Sequence, residues 1–250
     1  MNNQIDLLEK VKTTVEDSNH LFPNYLSGLS HDIRTPLSAI IGFSDLLTEP
    51  RVSRADQRSY CLMIARSSRK LLDLMSNLID LAKIETGNLE LFYKNVYFKD
   101  LVEELKIEMN EMSTLYEKNH LAISYIAPPD ALAKVFTDNR RLFQIIRILM
   151  ENSLRFTKEG SIDLMIKQTS PSNCTIEVSD TGCGIDKETL RNLFEIFPPA
   201  DTPLGQKIKA RGMSLSVVKK LCDMMDIDIE VTSNVGVGTM VRLIIPCEVR

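Results

Sequence analysis

Cysteine and histidine are scarce in this chain of 250 residues, and the few present are scattered. The five cysteines (Cys61, Cys174, Cys183, Cys222 and Cys247) are odd in number and form no CxxC pair. That excludes a sequence-evident zinc site, speaks against a disulfide framework and points to a reducing compartment. With three histidines (His20, His31 and His120), there are too few imidazoles for a His-rich metal centre. Long apolar runs are missing as well: none approaches the roughly 18 residues that span a bilayer. Residues 1–20 are polar and helix-like, without the apolar core of a signal peptide. Positive charge is not in excess. The formal net charge is −4, which argues against a nucleic-acid partner held through a broad basic face. The rest is ordinary for a folded soluble protein, 44% hydrophobic and 26% charged, and too apolar for a disordered one. The expectation is a cytoplasmic chain with no membrane contact of its own, any anchor lying upstream in a longer parent.

At about 150 residues per domain, the length suggests one or two domains, each with its own core. Two long amphipathic helices come first. Leu26, Leu29, Ile33, Leu37, Ile40, Ile41, Ser44 and Leu47 recur at three- and four-residue spacing until Pro50 and a polar stretch break the pattern. A second stripe, Tyr60, Ile64, Leu71, Leu72, Met75, Leu78, Ile79 and Ala82, ends before Gly87. Two such helices on a short connection predict an antiparallel hairpin. A lone hairpin buries only one side of each stripe, so a second copy is expected to complete a dimeric four-helix bundle.

After Gly87 the pattern changes. Helices are predicted over 100–118, 140–157, 188–194 and 213–225, and strands over 121–126, 162–169, 175–179, 227–232 and 239–245. This alternation predicts an α/β sandwich with strands in one layer and helices in the other. The fold class is therefore α + α/β, with a hairpin over 21–86, a linker over 87–95 and the α/β domain over 96–250.

His31 lies in Ser30-His31-Asp32-Ile33-Arg34-Thr35-Pro36, off the apolar stripe, so its imidazole should face water. Asp32 can accept a hydrogen bond from one ring nitrogen, leaving the other a better nucleophile. Thr35 lies four residues on, one turn along the same face. Pro36 removes a helical hydrogen bond beside the histidine and bends the helix there.

Further along stand Asn152-Ser153-Leu154-Arg155-Phe156-Thr157 on a helix, and Asp180-Thr181-Gly182-Cys183-Gly184-Ile185 after a strand. Leu193-Phe194-Glu195-Ile196-Phe197, Ala210-Arg211-Gly212-Met213-Ser214-Leu215 and Gly236-Val237-Gly238-Thr239 follow. Taken singly, each has a bland reading: a polar helix face, a turn, an apolar anchor or a hairpin loop.

In this order, and over about residues 19 to 246, these segments resemble the boxes of the sensor histidine kinases of two-component signalling. The resemblance implies a dimerisation and phospho-acceptor hairpin followed by a Bergerat-type ATP-binding domain. It implies that His31 accepts phosphate, that Asp32 acts as its base and that Thr35 positions water for dephosphorylating the partner. It also implies ATP and Mg²⁺, with Asn152 as the metal ligand, since a carboxamide oxygen is a hard ligand suited to bridged phosphates. Arg155 stands where the family more often has Lys and could hold a phosphate as a bidentate donor. Phe156, Gly182, Gly184, Gly212 and Thr239 fall at the remaining nucleotide-binding positions. Asp180 would accept the exocyclic amino proton of adenine, and a guanine carbonyl there would be rejected.

Two departures stand out. Ala210 and Ser214 occupy positions where the family has lid glycines, and Ile148 stands where many members carry another Asn. The function expected is ATP-dependent autophosphorylation of His31 and transfer to an aspartate of a response-regulator receiver domain, with phosphatase activity toward that partner. The partners expected are a second copy, the receiver, and an upstream sensor domain coupled through the helix end at 1–20; a membrane-anchored parent would place this part in the cytoplasm. The alternative is a degenerate scaffold or phosphatase-only protein with weak nucleotide binding, motivated by the altered lid. A hydrolytic relative would need a carboxylate where Ile148 stands.

Overall fold

The computed structural model describes residues 32–128, 133–168, 173–194 and 214–246. The segment 1–20, His31, the lid stretch 198–211 and Gly212 lie outside the described residues. Two compact units divide the described chain, one up to Leu74 and one from Met75 onward.

The first unit is helical. Helix α1 (residues 32–47) is followed by α2, Arg54–Glu85, which begins in this unit. The Thr48 hydroxyl donates to the Asp45 carbonyl (2.7 Å) where α1 stops ahead of Pro50. Ser53 restarts the chain as a cap: its hydroxyl accepts from the Asp56 N–H at 3.1 Å and donates to the Asp56 carboxylate at 2.7 Å. Across the hairpin the rings of Phe43 and Tyr60 stack with centroids 5.7 Å apart. Part of the predicted stripe faces outward: Ile41 is 54% exposed and Leu72 59%.

In the second unit, a five-stranded sheet runs in the order β2 (Ala122–Ile126), β4 (Ser161–Gln168), β5 (Asn173–Asp180), β7 (Gly238–Pro246), β6 (Asp228–Asn234). Only β2–β4 is parallel. Strand alternation drives the burial: Ile162, Leu164 and Ile166 point into the core, while the alternating Asp163, Met165 and Lys167 do not. Helices α3 (Phe98–Leu115), α4 (Asn139–Phe156) and α6 (Ser214–Met224) supply Leu105, Met109, Leu142, Ile145, Ile146, Val217 and Leu221 to the same core, all fully buried. A short helix, α5 (Lys187–Arg191), is capped by Asp186, whose side chain accepts from the Thr189 N–H at 3.0 Å.

Two strands were not foreseen. Strand β1 (Tyr93–Tyr97) pairs antiparallel with β3 (Lys134–Asp138), placing Val96 opposite Val135. Thus residues 93–95, expected as linker, belong to a small sheet of the α/β unit. Only Val96 of β1 is buried, so five residues give too little alternation to register as a strand.

The last turns of α2 are bound to this unit by polar contacts. Arg141 Nη1 lies 2.9 Å from Asp80 Oδ1, and Gln144 Nε2 donates to Asp80 Oδ2 at 2.7 Å. Asn77 Nδ2 donates to the Ser214 hydroxyl at 3.1 Å, and Lys220 pairs with Glu85. Asp80 and Arg141 are both buried. Arg141 also sits where Asp138 caps α4, since its backbone N–H donates to Asp138 Oδ1 at 3.0 Å. Among the described residues, no helix is long and apolar enough to cross a membrane. Removing one partner of a buried pair strands the other. Asp80→Ala should therefore destabilise the α/β unit by about 3 kcal/mol, read as a lower urea midpoint by circular dichroism.

Candidate nucleotide-binding site

The helical spacing of α4 puts Leu149, Asn152, Ser153 and Phe156 on one face, and that face walls a cleft of about 630 Å³ including its open mouth. Val231, Thr239 and Val241 from the sheet, Leu193 and Phe194 after α5, and Leu215 of α6 complete it with Asp180 and the loop Cys183–Ile185. The lining is mostly apolar with a few convergent polar groups, as a small-molecule site requires.

Asp180 closes β5 and is the one carboxylate among the described residues of the lining. Its Oδ2 accepts from the Ser153 hydroxyl at 3.0 Å and its Oδ1 from the Gly182 N–H at 2.9 Å. The Thr239 backbone N–H is a third donor, in keeping with the sheet register that sets Asp180 opposite Thr239. Burial raises the Asp180 pKa above its ordinary 3.8, and the three hydrogen bonds oppose that rise. The backbone around it is crowded. Gly184 has φ +68° and a side chain there would collide with the Asn234 carbonyl; Gly238 has φ +138° and would collide with the Asp180 carbonyl. The Gly236 N–H also donates to the Cys183 carbonyl at 2.9 Å, so the β6–β7 turn is at once a hairpin and a support for the carboxylate loop.

Asn152 lines the cleft, and its Nδ2 is buried without a hydrogen-bond partner among the described residues. An uncommitted amide at that place fits the expected phosphate–metal role, because either end of a carboxamide can be turned to a ligand. Phe156 lines the cleft, and its carbonyl accepts from the Cys183 N–H at 3.3 Å. Gly182 is buried behind the lining, where its N–H serves Asp180. Arg155 lies outside the lining: its Nη2 is 3.4 Å from Glu151 Oε1. Glu151 is itself buried, and accepts from the Tyr116 hydroxyl at 3.1 Å with Arg147 at 3.5 Å. Ile148 is buried in the core and offers no carboxylate. Asp32 and Thr35 stand at the described start of α1, with Thr35 exposed.

Sequence reasoning gave no role to Ser153 or Ser233. The Ser233 hydroxyl accepts from the Ile185 N–H at 2.8 Å and lies 2.9 Å from both the Gly238 carbonyl and the Thr239 hydroxyl, tying the Asp-Gly loop to the hairpin. A serine just ahead of a glycine turn was the available signal.

Two family models match the chain: the His Kinase A (phospho-acceptor) domain over residues 24–87, and the histidine kinase-, DNA gyrase B- and HSP90-like ATPase over residues 137–249. Hybrid signal transduction histidine kinase B of Dictyostelium discoideum is 32% identical over 228 residues, which cover 89% of this chain and 11% of that protein. The autoinducer 2 sensor kinase/phosphatase LuxQ of Vibrio parahaemolyticus is 29% identical over 232 residues, covering 91% and 27%. The chain thus spans between about a tenth and a quarter of these relatives. Among solved structures, the histidine kinase ThkA in complex with response regulator protein TrrA superposes with a TM-score of 0.59 at 20% identity, covering 88% of this chain and 60% of that one. With a helical phospho-acceptor model and an ATPase-fold model matched in the order of its two units, the chain belongs to the sensor histidine kinases of two-component systems.

Proposed function

We propose that the chain is a histidine autokinase that passes its phosphoryl group to an aspartate of a response-regulator receiver domain. The observation that carries this reading is the half-buried Asp180 carboxylate, held by three donors in a mostly apolar cleft. It suits the amino edge of adenine. In the reaction, a ring nitrogen of His31 attacks the γ-phosphorus of ATP. The new P–N bond forms as the bond to the bridging oxygen breaks, and ADP leaves with that electron pair. Asp32 holds the other ring nitrogen and orients the nucleophile. Thr35 aligns a water when the receiver's phosphoaspartate is hydrolysed. Asn152 would hold Mg²⁺, which supplies charge neutralisation across the phosphates. Arg155, paired with Glu151 one turn earlier on α4, would exchange that partner for a phosphate.

Several observations support the assembly we infer. Ile41 and Leu72 in the first unit are large apolar side chains left exposed, which a second copy would cover. The receiver partner is supported by the ThkA–TrrA complex, whose fold this chain shares. The signal in this reading comes from an upstream sensor domain, and the cytoplasm is where ATP and receiver are available. A scaffold or phosphatase-only protein is the second reading. It is favoured by Ser214, which stands at a lid-glycine position and begins α6 with its hydroxyl engaged by Asn77.

Incubation with γ-labelled ATP and Mg²⁺ should give acid-labile, base-stable label that His31→Gln abolishes while ATP binding persists; label retained by His31→Gln would sink the assignment. A scaffold would show no Mg²⁺-dependent ATP affinity at all. Asp180→Asn should weaken ATP by roughly 10–100-fold in calorimetric titration, the scale of losing a charged acceptor. Binding that needs ionised Asp180 is lost as pH falls through its raised pKa, so ATP affinity should decline at a higher pH than an ordinary carboxyl near 3.8 would dictate. Leu72→Glu should shift the chain toward monomer in sedimentation.

A further inference from the structure

We propose that Ser153 is a positioning residue that sets base specificity: its hydroxyl holds one oxygen of Asp180, so that the carboxylate presents a single acceptor to a 6-aminopurine. The proposal rests on the reading of the cleft as an ATP site and goes beyond it in naming what enforces the choice of base.

A serine in mid-helix ordinarily faces solvent or bonds back to the carbonyl one turn earlier. Ser153 does neither. It is buried, lines the cleft and sends its hydroxyl across from α4 to Asp180 Oδ2 at 3.0 Å. The accounting of the carboxylate is then nearly closed. Two carboxylate oxygens offer about four lone-pair sites. Ser153 takes one, the Gly182 N–H another, and the Thr239 N–H a third. About one is left for a ligand, enough for one exocyclic N–H.

The hydroxyl also governs what Asp180 is. Burial pushes the carboxyl toward its neutral form, and Ser153 is one of the groups opposing it. An ionised carboxylate only accepts and so rejects a 6-oxo base. A protonated one can donate to that same oxygen and would admit it. Among the described lining residues, no other charged side chain can take over this control. The loop adds only the Cys183 thiol, and the sheet, α5 and α6 contribute Val231, Thr239, Val241, Leu193, Phe194 and Leu215. On α4, Glu151 is occupied by Tyr116, Arg147 and Arg155.

The test is calorimetric titration of the full chain with Mg–ATP and with Mg–inosine triphosphate, whose base carries a 6-oxo group, at several pH values. Ser153→Ala keeps a good helix former in the helix, so the variant should fold, as circular dichroism would verify. Its expected signature is an ATP affinity lowered about tenfold with inosine triphosphate unchanged or tighter. The acid limb of ATP binding should also move to higher pH, because a bond that favours the ionised form is gone. Ser153→Thr, which keeps the hydroxyl, should restore both. An ATP-to-inosine ratio and acid limb within twofold of wild type in Ser153→Ala would overturn the proposal. Absence of ATP binding by the wild-type chain would instead overturn the nucleotide reading, and this proposal with it.

Discussion

Drawing a carboxylate partly out of water into a mostly apolar cleft is costly unless donors replace the water it loses, and much of the geometry around this site follows from meeting that requirement at Asp180. The donors come from three separate parts of the chain. The Thr239 N–H arrives because β5 and β7 pair in the register that sets the two residues opposite each other. The Gly182 N–H arrives because the chain turns directly after the strand. Ser153 arrives from the helix packed on the sheet. Gly238 then has to be glycine, since the backbone it abuts is that of Asp180 itself. One charge therefore constrains a strand register, a loop, a hairpin turn and a helix face together.

A second charged group, this one buried, constrains architecture rather than ligand. Arg141 is fixed at the start of α4, and Asp80 of α2 meets it. A buried ion pair is weak evidence of net stability, but it is demanding about partners and phase. At 100° per residue, Asn77, Asp80 and the buried Leu81 fall on one side of α2, while Met75 and Ile79 fall on the other and stay exposed. The polar face thus selects which apolar face is left outward.

The long helices and the core strands were readable because their periodicity is sustained: α2, α4 and β4 each repeat their pattern often enough to declare a buried face. The small β1–β3 sheet was not, because one buried valine in five residues carries no period. Asp180, Gly184 and Asn152 were legible as a constellation, since residue type and order together restrict them. Ser153 was not, because a serine beside Asn152 looks like any polar helix residue until β5 brings Asp180 to it. The pairing of Arg155 with Glu151 is different, since it is a local i,i+4 spacing on α4 that the sequence does carry. Only the added contact of Glu151 with Tyr116 is long-range and absent from local pattern.

Ser214 illustrates how a departure from a family pattern can carry its own physical logic. Glycine is useful at a helix start when the backbone must approach a ligand closely or adopt positive φ. Ser214 instead opens α6 with its hydroxyl accepting from Asn77, so a side chain rather than bare backbone locates the helix. One turn and a half later Lys220 of α6 pairs with Glu85, also on α2. Two contacts between the same two helices give α6 a defined position against the end of α2. Leu215, beside Ser214, lines the nucleotide cleft. The same short helix thus connects the cleft wall to the end of α2, and a shift of either would be felt by the other through side chains that glycine could not provide.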